Sequence, residues 1–558
     1  MNKNFFVKRD EKGSVMVVSF FILLVLSILF AAFMSRSIVD NRATQKNKDI
    51  LQAYYLAEAG IDAMRFQLYD NFKKGEGYFD ETTMYDRTSE SFAFFDNIAG
   101  MEMQGSLASM SGANYYNLDV VSIDTPNAPS HVPKDITFQC NATVNGITKK
   151  VTAVVRYTMS PSKVFDYSYF INNYGWFWGN TITSQGDIRS NGNFSFGSYN
   201  PIVNGDVYAS INPGLGAAGT ISGSNSNNTI VYYRANADSI TRPTNPSADP
   251  QDIDGDGVDE EFPYENGYDG DSEQFSAQQI LDMPYLGDLN YYKNLAATHN
   301  GTVKQNGVTL VNNVLNDNVI LIGTDAHPIE ISGPVVVTGD VLIKGKISGQ
   351  GTIYSGRNTH IIGNVEYVHA ASWPKPDIDS QTTDTQNAAK DFLGLAAKGN
   401  VVLGDYTDIC TWGCCKNYLK PSFTSAYKVD VADSDIGYVK YYSGGDPYFD
   451  GDYTAYDGGH KIDGSCRRYY ESSYNDSDFG PIADSIISRV DAVTYTNHAF
   501  AGRVGSFILN GSIISRDEAI IYNNYIKMNY DVRAITMGEQ FYLPRALSLP
   551  HIQYLKRD

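Results

Sequence analysis

Positive charge is scarce in this chain. Across 558 residues, 43 lysines and arginines face 63 aspartates and glutamates, for a formal net charge of −20. Phosphate backbones are bound by clustered Lys and Arg, so this balance excludes nucleic acid as a partner. Histidine is scarce as well, with eight scattered residues. Neither Gly-x-Ser-x-Gly nor His-Glu-x-x-His occurs, which removes the serine-hydrolase and zinc-protease signatures. Cysteine is limited to Cys140, Cys410, Cys414, Cys415 and Cys466. What is abundant is tyrosine and glycine, 40 and 49 residues, while only 19% of residues are charged. That texture suits an extracellular β-rich protein whose exposed strands stay soluble through Tyr, Asn, Ser and Thr.

The N-terminus fixes the compartment. Lys3, Lys8, Arg9 and Lys12 precede Gly13, and an apolar run over residues 15–34 follows, broken only by Ser19 and Ser27. As a helix it spans about 30 Å, the thickness of a bilayer core. The basic leader stays in the cytoplasm, so the rest lies outside. A secretory signal and a plain anchor are the competing readings. The apolar core exceeds the roughly 7–15 residues of a secretory signal, and Ala31-Ala32 run into Phe33-Met34 rather than a small-x-small site. The helical pattern continues through residues 37–71, without proline and with Gly60 as its only glycine. Ile50, Leu51, Tyr54, Tyr55, Leu56, Ala59, Ala63, Phe66 and Leu68 form its expected apolar face.

Gly13 followed by a hydrophobic helix resembles a class III prepilin leader. The stretch over 52–61, QAYYLAEAGI, resembles the stem block of PilX-type minor pilins, and is similar to the K-type minor pseudopilin of type II secretion. The resemblance covers about residues 8–70. It implies cleavage between Gly13 and Ser14 by a prepilin peptidase and methylation of Ser14. It also implies other pilins or pseudopilins as partners of the helix, beginning in the inner membrane and ending in an extracellular filament. Most pilins carry a glutamate at the fifth mature position; here it is Val18. A buried carboxylate without a partner is costly. Within the family, its loss implies a tip subunit with no neighbour above it.

The expected fold class is α+β, a long helix and a small antiparallel head followed by a large mainly-β region. The divisions are a leader at 1–13, a stem at 14–71, a head at 72–160 and a solenoid-like region at 161–404. A cysteine-containing insertion at 405–495 and a C-terminal β segment at 496–558 follow. In the head, residues 115–122, 136–143 and 149–157 alternate as strands, and Asn145-Gly146 reads as a hairpin turn. Beyond it, short β runs recur at 17–18 residues. Val319, Val336 and Ile353 are one spaced set, and Ile329, Ile347 and Val365 another. This period favours β-solenoid rungs over a sandwich. Gly333, Gly339, Gly345, Gly349, Gly351 and Gly363 would serve the corners. Insertions fall at 235–300, 368–398 and 405–495, the second with an expected helix over 385–397. Two degenerate matches to large PilX-type proteins add membership without chemistry: GNTITSQGDIRSNGNFSF, and the stretch ending Tyr530-Asp531-Val532-Arg533.

One motif carries chemistry. Asp252, Asp254 and Asp256 alternate before Gly257, with Val258 and Glu260 following. Such a loop curls round a hard cation, and calcium, in a structural role, is the expected ligand. Position 12 of an EF-hand would be Pro263, so closure needs Glu260, Glu261, Asp269 or Asp271. Cys410, Cys414, Cys415 and Cys466 are disulfide candidates of unassigned pairing. Cys140, alone in an alternating strand, reads as a small buried residue. The expected role is a filament subunit presenting a large head to a surface ligand or secreted cargo. The alternatives are an anchored adhesin outside any filament and a glycan-active enzyme. For the enzyme, Asp187 with Arg189, or Asp340 with Lys344, would be the pairs to examine.

Overall fold

The computed structural model describes residues 12–75, 95, 98–106, 114–124, 132–223, 274–371, 386–405 and 480–558, apart from short internal gaps, and strands Lys440–Tyr442 and Arg467–Tyr469. It begins with one uninterrupted helix, α1, Lys12–Gly75, about 95 Å long at ~1.5 Å per residue. The C-terminal half of α1 lies on an antiparallel sheet built from β1 (Glu102–Gly105), β2 (Tyr115–Asp124), β3 (Lys134–Val144) and β4 (Ile147–Tyr157). The β3–β4 turn is the expected one, with Asn145 at φ 49 and Gly146 at φ 81. Asp49 of α1 is buried beneath it and accepts from Asn145 Nδ2 at 3.1 Å.

The helix face on the sheet is Ala53, Leu56, Ala57, Gly60, Ile61, Met64, Leu68 and Phe72, spaced by three and four. The expected apolar face is therefore only half right. Leu56 and Leu68 are buried, whereas Leu51, Tyr55, Ala63 and Phe66 are exposed. Ala53, Ala57 and Gly60 share the sheet side with larger residues because small ones let helix and sheet approach closely, and hydropathy alone gives them little weight.

The sheet's fifth strand comes from the far end of the sequence. His551–Arg557 pairs antiparallel with β4, from His551 beside Arg156 to Arg557 beside Val151. Arg545–Leu547 likewise pairs with Met159–Pro161. The 496–558 segment, read as one piece from sequence, thus contributes to both the head and the mainly-β region. Register against a distant edge strand leaves no local signal.

Between β4 and that returning strand the chain builds a stack of parallel strands. It starts at Tyr169–Ile171, whose Tyr169 lies beside Ile188, and Ile188 lies beside Val207, 19 residues further. After Gln274–Gln278 and the helix Leu289–His299, the chain restarts at the opposite end with the hairpin Thr302–Gln305 and Val308–Asn312. From there it winds back. Ile329 pairs with Ile347 and Val341 with Thr359, each 18 residues on. Val401 pairs with Phe500, and Ala499 with Asp517. The last turns land on the first: Ile513 beside Tyr169, and Ile526 beside Ile182.

Of the two spaced sets, Ile329 and Ile347 are true ladder partners. Val319 pairs with Val341, and Ile353 with Val335. A register shift between Ile343 and Gly345 puts Val365 beside Gly345, which breaks the even period. Gly345, at φ 96, meets Gly323 O so closely that a Cβ would stand 1.9 Å from it. Gly339, Gly351 and Gly363 do not take positive φ; close backbone or side-chain neighbours hold those positions instead. The expected helix over 385–397 is a turn at 386–388 followed by the strand Phe392–Ala397, buried at every position and paired with Gln350–Ser355. Its Phe-Leu-Gly-Leu-Ala-Ala sequence has helix-compatible residues, but burial on both faces decides.

One corner of the stack is held by a polar ladder. Asn318 Oδ1 accepts from the Asp340 amide at 2.8 Å, and Asp340 Oδ1 from the Asn358 amide at 2.9 Å. Asn358 Oδ1 accepts from the Asn400 amide at 2.9 Å, and Asn400 Oδ1 from the Ala499 amide at 3.3 Å. Asp340, Asn358 and Asn400 are all buried. Each side chain satisfies a corner N–H that the strands cannot reach. Asn358→Ala should therefore cost about 1–3 kcal/mol, the desolvation of the orphaned Asn400 amide. Chemical denaturation of wild type and variant checks this, and an unchanged midpoint would contradict it.

Candidate assembly surface

Residues 15–34 of α1 are all exposed, their Val, Leu, Ile and Phe side chains among them. The helix is long and apolar enough to cross a membrane. Gly13 and Ser14 belong to its first turns, and Val18 is exposed on it. Further along, Leu51, Tyr55 and Phe66 are exposed at spacings of four and eleven, which sets them on one stripe of the helix. That stripe lies opposite the sheet-facing residues, so α1 offers apolar surface on its free side beyond the apolar run.

The seating of α1 depends on Gly60. A Cβ there would stand 2.7 Å from the Tyr116 ring and 2.8 Å from Cys140 Sγ. Cys140 is a buried free thiol, pushed up to about 12 chiefly by burial, with Asp119 adding to the shift. It is a packing residue, as its alternating strand implies. The returning strand secures the same helix from its other edge. Arg557 Nε donates to Glu58 Oε1 at 2.6 Å, and the Tyr54 hydroxyl donates to the Asp558 carbonyl at 3.0 Å. In the sequence Gly60 stands out only as the single glycine of residues 37–71; its place within a block of small residues was the available signal.

The remaining sequence candidates divide sharply. Asp252, Asp254, Asp256, Val258 and Glu260 lie outside the described residues, as do Cys410, Cys414, Cys415 and Cys466. Among the described residues no group of three or more His, Cys, Asp or Glu could hold a metal. The two pairs considered for glycan chemistry occupy structural positions. Asp340 is the buried corner residue above, while Lys344 bonds Asp484 at 2.8 Å. Asp187 accepts from the Asp206 amide at 2.9 Å, and buried Arg189 donates to the Tyr167 hydroxyl at 3.0 Å. The repeated Gly-Asp/Asn-aliphatic triplets at 186–188, 205–207, 339–341 and 399–401 are the sequence signature of these corners.

The Tyr530-Asp531-Val532-Arg533 stretch has a structural use too. Arg533 and Asp531 form a buried ion pair at 2.7 Å. The guanidinium also donates to the carbonyls of Asn387, Lys390 and Asp391. It sits 5.5 and 5.6 Å from the ring centroids of Phe392 and Phe541. The stretch thereby ties the segment after the last rung to the loop before Phe392–Ala397.

No family model matches this sequence, and no curated protein does. Among solved structures, the competence-associated pilin ComZ from Thermus thermophilus aligns over 91% of this chain and 98% of its own. The identity is 11% and the TM-score 0.28. A likeness at that score defines neither fold detail nor role.

Gly60→Ala should destabilise the head by about 1–3 kcal/mol, because the new methyl overpacks a rigid contact. Pairing it with Cys140→Ala, which removes one of the two obstructing groups, should recover part of that loss. Thermal melting of the single and double variants checks both steps; additive effects would contradict the shared contact.

Proposed function

We propose that this chain is a minor pilin or pseudopilin that helps initiate or cap a type IV filament. Its large extracellular β head would meet a surface or a cargo. The observation that carries the reading is the unbroken α1. One helix runs from a fully exposed apolar run into the spine of an antiparallel head. A plain anchor needs no rigid continuity between membrane span and head. A subunit that packs helix against helix in a filament does, and the exposed Leu51, Tyr55 and Phe66 stripe extends the surface available for it. Gly13 and Ser14 are the processing site in this reading, and prepilin peptidase the processing enzyme. Val18, in place of a carboxylate, supports a position at or near the tip.

The role is structural rather than enzymatic, and the corner positions of Asp187 and Asp340 support that. We read the parallel stack as a β-solenoid on the strength of its 18- and 19-residue offsets. Calcium in the Asp252–Glu260 loop rests on the spacing of its carboxylates. Mass spectrometry of the N-terminal peptide, from membrane and sheared-filament fractions, tests the reading. A chain starting at methylated Ser14 and present in filaments is expected. A chain starting at Met1 and confined to the membrane would instead make it an anchored adhesin.

A further inference from the structure

The parallel stack is interrupted on one wall, where its last turns meet its first. The ladder runs along Ile513–Ser515 on Tyr169–Ile171 and resumes at Ile526–Asn529 on Ile182–Gln185. Between them, Gly175–Phe177 keeps its far-side partner, Phe194–Phe196, and is not a ladder partner of 517–522. Among the described residues, 517–522 find a ladder partner on one side only, at 499–504. The interruption leaves a cleft of about 260 Å³. Ile520 and Tyr522 are only partly buried there, so the cleft reaches the surface. Protein interiors are close-packed, so a void of this size is uncommon.

Among the described residues its lining is apolar and aromatic, including Trp176, Phe177, Tyr522, Ile526 and Met528, with Glu518 as the charged member. Glu518 is 6% exposed. Its Oε2 accepts from the Tyr169 hydroxyl at 3.0 Å, and its Oε1 from the Ile520 amide. The Tyr169 phenol thus already shows what kind of group this carboxylate accepts.

We propose that the cleft binds a small phenol: one aromatic ring whose hydroxyl donates to Glu518. Ring faces and edges along the wall suit a ring by offset or edge-to-face packing. A hydroxyl donating to a carboxylate within apolar walls forms a charge-assisted bond. The volume is ample for a single ring, since a cavity of about 150 Å³ already takes benzene. The assignment does not depend on whether the chain enters a filament.

Calorimetric titration of p-cresol into the full-length chain in detergent tests it, with toluene as the analogue lacking the donor. Saturable one-site binding is expected, with toluene weaker by about tenfold or more. Glu518→Gln should weaken p-cresol by a similar factor and leave toluene unchanged. Ile521→Trp, which adds bulk at a partly buried lining position, should abolish p-cresol binding without moving the thermal melt. The proposal is overturned if p-cresol gives no heat at millimolar concentration, if toluene binds equally well, or if a folded Ile521→Trp variant binds p-cresol in full.

Discussion

Everything beyond the head depends on one parallel joint, in which Ile513–Ser515 lies on Tyr169–Ile171 and Ile526–Asn529 on Ile182–Gln185. The chain enters its stack of rungs in the middle. It winds to one end through Val207, crosses over, restarts at Thr302 and winds back to its own first rung. A rung buries little by itself and gains its core only from neighbours. Without the joint there would be two short stacks, each with an open edge ready to pair with another chain. With it, buried residues such as Ile188, Val207, Ile343, Leu395, Phe500 and Ile513 form one core. The hairpin Thr302–Gln305 and Val308–Asn312 crosses the far end antiparallel, against Ile329–Ser332, and so covers that edge.

The same joint explains why the head is built from both ends of the sequence. Once the last rung has reached the first, the chain stands beside the place where it left β4. It can then add Arg545–Leu547 to Met159–Pro161 and His551–Arg557 to β4. The mainly-β region is therefore held to the head by two consecutive antiparallel strand pairs. Asp531 and Arg533 brace the return, and the Tyr530 hydroxyl donates to the Phe165 carbonyl beside the first rung.

What could be read from the sequence follows from how local each interaction is. The helix of residues 15–71 and the Asn145-Gly146 turn rest on contacts a few residues apart, and both are there. Repetition at 17–18 residues was visible because each rung repeats the same inside-outside choice. Its phase was not, because the shift at Gly345 and the long loops leave no hydropathy trace. The helical face was misjudged through Leu51 and Phe66, which are more apolar than Ala53 or Gly60 but lie on the free side. Asp340 and Asp187 looked chemical because an acidic residue near a basic one in sequence is the common cue; burial and a backbone partner give them a structural part. Glu518 and the cleft beside it were illegible, since the walls come from residues as far apart as Tyr169 and Glu518, 349 positions along the chain.

The returning strand completes the head sheet. Hydrogen exchange of the full-length chain, read peptide by peptide, tests it most directly. Slow exchange is predicted for the amides of His551–Arg557 that face β4, together with those of β4 itself. Exchange of the 551–557 amides at the rate of a free peptide, beside a protected β4, would contradict the closed topology.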